Sequence, residues 1–210
     1  MDVARSLASE LLAAFDARAR RFLLGITGPP GAGKSTLAHA LVASVLEQRG
    51  AGTAVVAPLD GFHLSNETLN SLGLRSVKGA PQTFDAAGFV ESLRRLRDEP
   101  AATVRWPDFN RRAEQTIANA IPIGSDAKLV IAEGNYLLLD QPPWREVREL
   151  LDQVWFLDVP HDVLRRRLIE RQMANGRSKK DAMRHVDDSD LRNAELIGRT
   201  KQLADLIVRT

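Results

Sequence analysis

Gly28-Pro29-Pro30-Gly31-Ala32-Gly33-Lys34-Ser35 is the stretch whose reading decides the fold of this 210-residue chain. It satisfies G-x-x-x-x-G-K-[ST] at every defined position, the pattern of a phosphate-binding loop. Glycine tolerates the backbone angles that turn successive N–H groups inward toward phosphate oxygens. The helix that follows adds unpaired N–H groups and its positive dipole end. Lys34 then reaches the β- and γ-phosphates of a nucleotide, and the Ser35 hydroxyl supplies a position for Mg2+. The expected nucleotide-contacting set is Gly28, Pro29, Pro30, Gly31, Ala32, Gly33, Lys34, Ser35 and Thr36.

The flanks supply the setting this loop requires. Phe22 to Thr27 reads as a short buried strand before it, and Ser35 to Gln48 as a helix after it. Leu37, Leu41, Val45 and Leu46 fall on one face of that helix. Further out, strand-like apolar runs alternate with helix-like segments. The strands are Thr53–Leu59 ending at Asp60, Lys128–Ala132 ending at Glu133, Gln153–Leu157 ending at Asp158, and Ala204–Val208. The helices are Ala86–Arg97, Val163–Ala174, and one or two more between Lys179 and Arg199. Continuous apolar strands alternating with helices predict an α/β architecture, a parallel sheet covered on both faces. Ligands of such sheets bind beyond the carboxyl ends of the strands, where Gly28, Asp60 and Glu133 fall.

Both acids suit phosphoryl transfer. Asp60 opens Asp60-Gly61-Phe62-His63, and its carboxylate can accept the proton of an attacking hydroxyl or hold a Mg2+-bound water. Glu133 sits where a metal-organising carboxylate is expected, so Ser35, Glu133 and Asp60 form the candidate metal set. Asp158 is expected to cap the helix starting near His161.

Composition narrows the classes further. The chain has no cysteine, which excludes disulfides, thiolate metal sites and thiol nucleophiles and fits a reducing, cytoplasmic setting. No apolar run approaches the roughly 18 residues of a membrane span. Met1 to Arg20 reads as an amphipathic helix with Leu7, Leu11 and Phe15 four apart, not as a signal peptide. A net charge of +2 gives no global case for nucleic acid as a partner.

The phosphate loop, Asp60-Gly61-Phe62-His63 and Val130-Ile131-Ala132-Glu133-Gly134 together resemble the phosphoribulokinase, uridine kinase and bacterial pantothenate kinase group of P-loop kinases. Arg75 to Asp85, R-S-V-K-G-A-P-Q-T-F-D, is similar to the K-G-x-P-x-x-[FY]-D segment that these enzymes place beside the acceptor. Pro107 to Arg111 resembles the Y-D-[RHK]-type segment of the group, Leu164 to Gly176 its arginine-rich lid, and Thr200 to Val208 its closing strand. The likeness runs from about Arg21 to the C-terminus and looks most like short bacterial kinases assigned to fructose transport systems.

The resemblance implies a single three-layer P-loop NTPase domain over 1–210, with a central, mainly parallel sheet. The acceptor side would span about 60–115 and a helical lid about 165–185. It implies ATP and Mg2+ as cofactors, a small-molecule hydroxyl acceptor such as fructose, and a homodimer as the assembly to test. Asp60 would be the catalytic carboxylate and Lys34 the phosphate-binding cation. Arg167 and Arg171 share one helix face, and one of them would meet the transferring phosphate, with Arg177 a third candidate. His63, Lys78, Phe84, Asp108 and Arg111 would line the acceptor site. Asp60-Gly61-Phe62-His63 departs from the D-x-F-Y form of uridine kinases, and Tyr136 is the single tyrosine, which argues mildly against a stacked base. Uridine-type and pantothenate acceptors remain alternatives. A nucleotide-dependent switch or assembly ATPase is the rival from another class, but no N-K-x-D or L-S-G-G-Q segment is present. A switch has no need of a second cavity beside the phosphates, so the placement of Lys78 to Asp85 discriminates.

Overall fold

The computed structural model describes residues 3–17 and 20–209, with no account of the side chains of 3–5. Its strands are β1 (Phe22–Thr27), β2 (Ala54–Pro58), β3 (Val104–Asn110), β4 (Gln115–Ile123), β5 (Leu129–Glu133), β6 (Gln153–Asp158) and β7 (Leu206–Arg209). Its helices are α1 (Val3–Asp16), α2 (Lys34–Arg49), α3 (Asn66–Ser71), α4 (Ala86–Asp98), α5 (Arg145–Leu150), α6 (His161–Ala174), α7 (Lys179–His185) and α8 (Leu191–Gly198). Five strands form one parallel sheet in the order β2-β5-β1-β6-β7. Ile26 of β1 and Pro58 of β2 both stand in register with Glu133, so three strand ends converge on one spot.

Strand alternation sorts the core into two layers. Phe22, Leu24, Ile26, Ile131 and Trp155 face α1 and α2, against Leu11, Leu41 and Val45. Leu23, Val130, Val154 and Phe156 face the other way, toward Phe89 and Leu93 of α4 and Val147 of α5. Gly25 lies on this second face, where a Cβ would stand 2.7 Å from Leu151. Behind the sheet, Arg21 is 5% exposed and donates to the carbonyls of Leu96, Pro100, Gly124 and Ala127.

The expected helix over Met1–Arg20 is α1, which ends at Asp16; Met1, Asp2, Arg18 and Ala19 lie outside the described residues. Asp158 does not cap α6. It pairs with Lys201, and Pro160 occupies the cap position. β2 stops at Pro58, so Asp60 sits on a 3-10 turn, Leu59–Phe62, rather than at the strand tip. Between α7 and α8 the chain makes a π-helical turn, Val186–Asp190.

The antiparallel hairpin β3–β4 was not foreseen. It stands on the Asp60 turn. Trp106 donates its indole N–H to the Pro58 carbonyl at 2.9 Å, and the Thr116 hydroxyl donates to the His63 carbonyl at 3.1 Å. A Cβ on Gly61 would lie 2.2 Å from the Pro107 carbonyl oxygen, so only glycine permits this approach.

Candidate active site

The loop after β1 wraps around the Lys34 ammonium. Gly28, Gly31 and Gly33 hold φ of 147°, 79° and 93°. Gly28 also packs against β6, where a Cβ would meet the Leu157 carbonyl at 2.7 Å. Gly33 precedes α2 and brings no side chain to its first N–H groups. Lys34 donates to the carbonyls of Gly28 and Pro29, each at 3.0 Å. It is 8% exposed. Burial lowers its pKa to about 8, against the upward pull of Glu133 and Asp60.

Beside it, the Ser35 hydroxyl donates to Glu133 Oε1 at 2.8 Å. Glu133 is buried at the end of β5, and burial raises its pKa, with nearby Asp60 adding to the rise. Lys34 and the Ser35 hydroxyl pull the other way without cancelling it. A hydroxyl and an under-compensated carboxylate form an all-oxygen donor pair, which suits a small hard cation. Among the described residues no three His, Cys, Asp or Glu side chains cluster to hold a metal. Magnesium ordinarily takes few protein ligands and completes its shell with water and phosphate oxygens, so this donor set fits it.

A cavity of about 560 Å3 opens in front of these groups. Its nucleotide end is lined by Pro30, Gly31, Lys34 and Glu133, and Asp60, His63, Lys78, Gly79, Phe84 and Phe109 line the other side. The Asp60 carboxylate receives the Arg111 guanidinium at 2.5 Å. His63 stacks on Phe84, ring centroids 4.0 Å apart, and lies 4.9 Å from Phe109. Burial pushes the His63 pKa down to about 4, so its ring is neutral in ordinary buffers. Lys78 donates to Asn66 Oδ1 at 2.8 Å and lies 5.3 Å from the Phe109 ring centre. The Tyr136 hydroxyl donates to the Gly79 carbonyl at 2.5 Å and fixes the loop that carries Lys78.

The structure brings Lys34, Asp60, His63, Lys78, Phe84, Arg111, Glu133 and Arg171 to this one cavity. Pro29 and Ala32 shape the loop through the bond from Ala32 N to the Pro29 carbonyl, and Thr36 is exposed on the first turn of α2. Arg167 stands outside the cavity wall, over the loop, with Nη1 3.4 Å from the Gly31 carbonyl. Arg171 lies 3.6 Å from Asp190, and Arg177 also lines the cavity. Asp108 does not reach the main cavity. It accepts from its neighbour Phe109 N and lines a second cavity of about 180 Å3 with His39 and Ile121, behind Asp60.

Sequence reasoning missed Arg75, Glu114, Asp190 and Asn193, which also line the cavity. Arg75 stands within the quoted R-S-V-K-G-A-P-Q-T-F-D segment and could have been found there. Glu114 and Asp190 look like ordinary surface acids until the hairpin and the π-helical turn place them.

A nucleotide-binding loop on a parallel sheet, with a polar cavity that runs from the loop past Asp60, defines a P-loop kinase fold. The model of the phosphoribulokinase / uridine kinase family matches residues 23–210, and the chain belongs to that family. It is 35% identical over 189 residues to the uncharacterized protein YggC of Escherichia coli K12, covering 90% of this chain and 78% of that one. It is 31% identical over 196 residues to a Schizosaccharomyces pombe protein provisionally named uridine kinase C227.14, covering 90% and 83%. A crystal structure from Silicibacter sp. TM1040, of a protein provisionally named a fructose transport system kinase, superposes with a TM-score of 0.89. That pair is 37% identical, over 99% of both chains. Family membership makes the chain a phosphotransferase that uses ATP.

Proposed function

We propose that this protein transfers the γ-phosphoryl group of ATP, with Mg2+, to a hydroxyl of a small polar molecule, a sugar such as fructose being the first candidate. One observation carries the reading: Lys78, Gly79 and Phe84 share a cavity with both Asp60 and Lys34. A nucleotide switch needs the phosphate end only, whereas a kinase needs both ends.

Each group has a task. The loop N–H groups and Lys34 hold the β- and γ-phosphates. Ser35 and Glu133 would hold Mg2+, which when bound neutralises charge developing on the phosphate oxygens. Asp60 takes the proton of the acceptor hydroxyl as its oxygen bonds to the γ-phosphorus and ADP departs with the bridging oxygen. Arg171 faces the cavity and supplies positive charge toward the transferring group. The segment over about 165–185 serves as a lid that excludes water from the γ-phosphate, and one kinase domain spans the chain. Gln172, Asn175 and Asn193 line the cavity, side chains suited to a polyhydroxy compound.

A nucleoside acceptor is the second reading, favoured by the His63, Phe84 and Phe109 rings and by the name of the S. pombe relative. ADP release from Mg-ATP, measured against sugars, sugar phosphates, glycerate, uridine, cytidine and pantothenate, tests both. Stimulation by one class, abolished in Lys34→Ala, establishes the kinase and its acceptor. Steady ATP turnover indifferent to every acceptor would instead support a switch or assembly ATPase.

A further inference from the structure

The tip of the β3–β4 hairpin puts two opposite charges into the cavity. Arg111 covers the Asp60 carboxylate. Three residues on, Glu114 Oε2 receives Arg75 at 3.0 Å and Lys78 at 3.4 Å. All five side chains line the same cavity as Lys34. Glu114 holds a φ of 52°, in the left-handed region. That conformation is unfavourable for a non-glycine residue and persists where the surroundings enforce it. Here the tip accepts it while delivering a carboxylate to two cations. The Glu114 carboxyl is held below its ordinary range: burial works against this, and Lys78 and Arg75 outweigh it. The Lys78 side chain is only 13% exposed, with Asn66 as its other polar partner, so it calls for an anion whenever Glu114 is absent.

We propose that Arg75 and Lys78 form an anion subsite for the acceptor, that Glu114 fills it until the acceptor arrives, and that the acceptor is a small hydroxyl compound bearing a phosphate or carboxylate. This rests on the kinase reading above and narrows its acceptor from a neutral sugar such as fructose to a charged one. The acceptor's anion exchanges with Glu114 on the same two cations. The tip then loses its tether to the 75–78 segment, and Arg111 leaves Asp60 with it. Asp60 becomes free to take the hydroxyl proton only when a charged acceptor is in place. Water brings no anionic group and does not release the tip, so ATP is spared from hydrolysis.

Inorganic phosphate is the probe, titrated calorimetrically into the full chain saturated with Mg-ADP. Any binding at the phosphate loop is common to every variant, so differences between variants read the subsite. Glu114→Gln is expected to bind phosphate at least fivefold more tightly than wild type. Lys78→Met and Arg75→Gln are each expected to bind it at least tenfold more weakly, and Arg75, being more exposed, serves if Lys78→Met fails to fold. Equal affinity in all the proteins that fold overturns the subsite and leaves the kinase reading untouched.

ADP release with glycerate and fructose 6-phosphate, set against neutral glycerol and fructose, then separates carboxylate from phosphate recognition. A lower KM for a neutral member than for its charged partner overturns the subsite within a working kinase. The expected phosphate responses with no turnover on any acceptor would support the subsite and sink the kinase reading. Arg111→Gln is expected to raise acceptor-independent ATP hydrolysis severalfold; an unchanged or lower rate removes Arg111 as the cover of Asp60.

Discussion

Raising the pH should loosen nucleotide binding through Lys34 alone, while the apoprotein gains stability from the same group. Burial holds the Lys34 pKa at about 8, well under the 10.5 of a free lysine. Phosphate oxygens need the charged ammonium. If the protonated form alone binds tightly, the apparent Kd scales with 1 plus the ratio of neutral to charged lysine. Relative to its low-pH limit it is then about 1.1-fold higher at pH 7, about twofold at pH 8 and about elevenfold at pH 9. The step from pH 7 to pH 9 is about tenfold, or ~1.4 kcal/mol.

Folding linkage runs the opposite way. The folded pKa is depressed, so between about 8 and 10.5 the unfolded chain binds more protons. The cost of burying the ammonium is fully present below pH 8 and is relieved as the pH rises through this window, by up to about 3 kcal/mol. Calorimetric titration with Mg-ADP from pH 7 to 9.5 at fixed ionic strength reads the first effect, and urea unfolding of the apoprotein reads the second. Lys34→Met should flatten both profiles. A wild-type Kd constant within about twofold to pH 9.5, or an equally steep rise in Lys34→Met, would refute the reasoning.

Three further outcomes are expected. Asp60→Asn should keep Mg-ADP binding within about threefold while kcat falls by about 10²–10⁴, since a carboxamide cannot take the hydroxyl proton; near-normal turnover would remove Asp60 from the chemistry. Glu133→Gln should raise the Mg2+ concentration needed for half-maximal ADP release while sparing metal-free nucleotide binding, and an unchanged Mg2+ dependence would place the metal elsewhere. Arg21→Met strips one buried guanidinium from four backbone carbonyls and should cost about 3–5 kcal/mol in urea unfolding. A loss below about 1 kcal/mol would mean that water replaces it there.

The nucleotide end was legible in the sequence because its determinants are local. Gly28 to Ser35 are consecutive, and the strand before and the helix after them follow from short apolar patterns. Glu133 was equally visible at the end of an unbroken apolar run, which only a doubly covered strand produces. The acceptor end was only partly legible. β3 carries Pro107 in its middle, and most of β4 is exposed on both faces, so neither shows the alternation that announces a strand. Glu114 finds Arg75 across 39 residues of sequence, a pairing that exists only once the hairpin is folded. Asp190 hides in what reads as continuous helix, and the π-helical turn that moves it to the cavity leaves no local mark. Asp108 was placed in the main cavity by the resemblance of its segment, whereas the bulge between Trp106 and Asp108 shifts the strand register just before it.

The stem of the hairpin has a different standing from its tip. Trp106, Thr116 and the close contact of Pro107 with Gly61 fix the stem to the turn that bears Asp60. The four residues Arg111 to Glu114 belong to none of these three anchoring contacts. Asp60 and the root of the cavity wall thus share one frame, and the tip projects from it. Changes confined to those four positions would therefore act on Asp60 through Arg111 and on Arg75 and Lys78 through Glu114, with the sheet and the phosphate loop left standing.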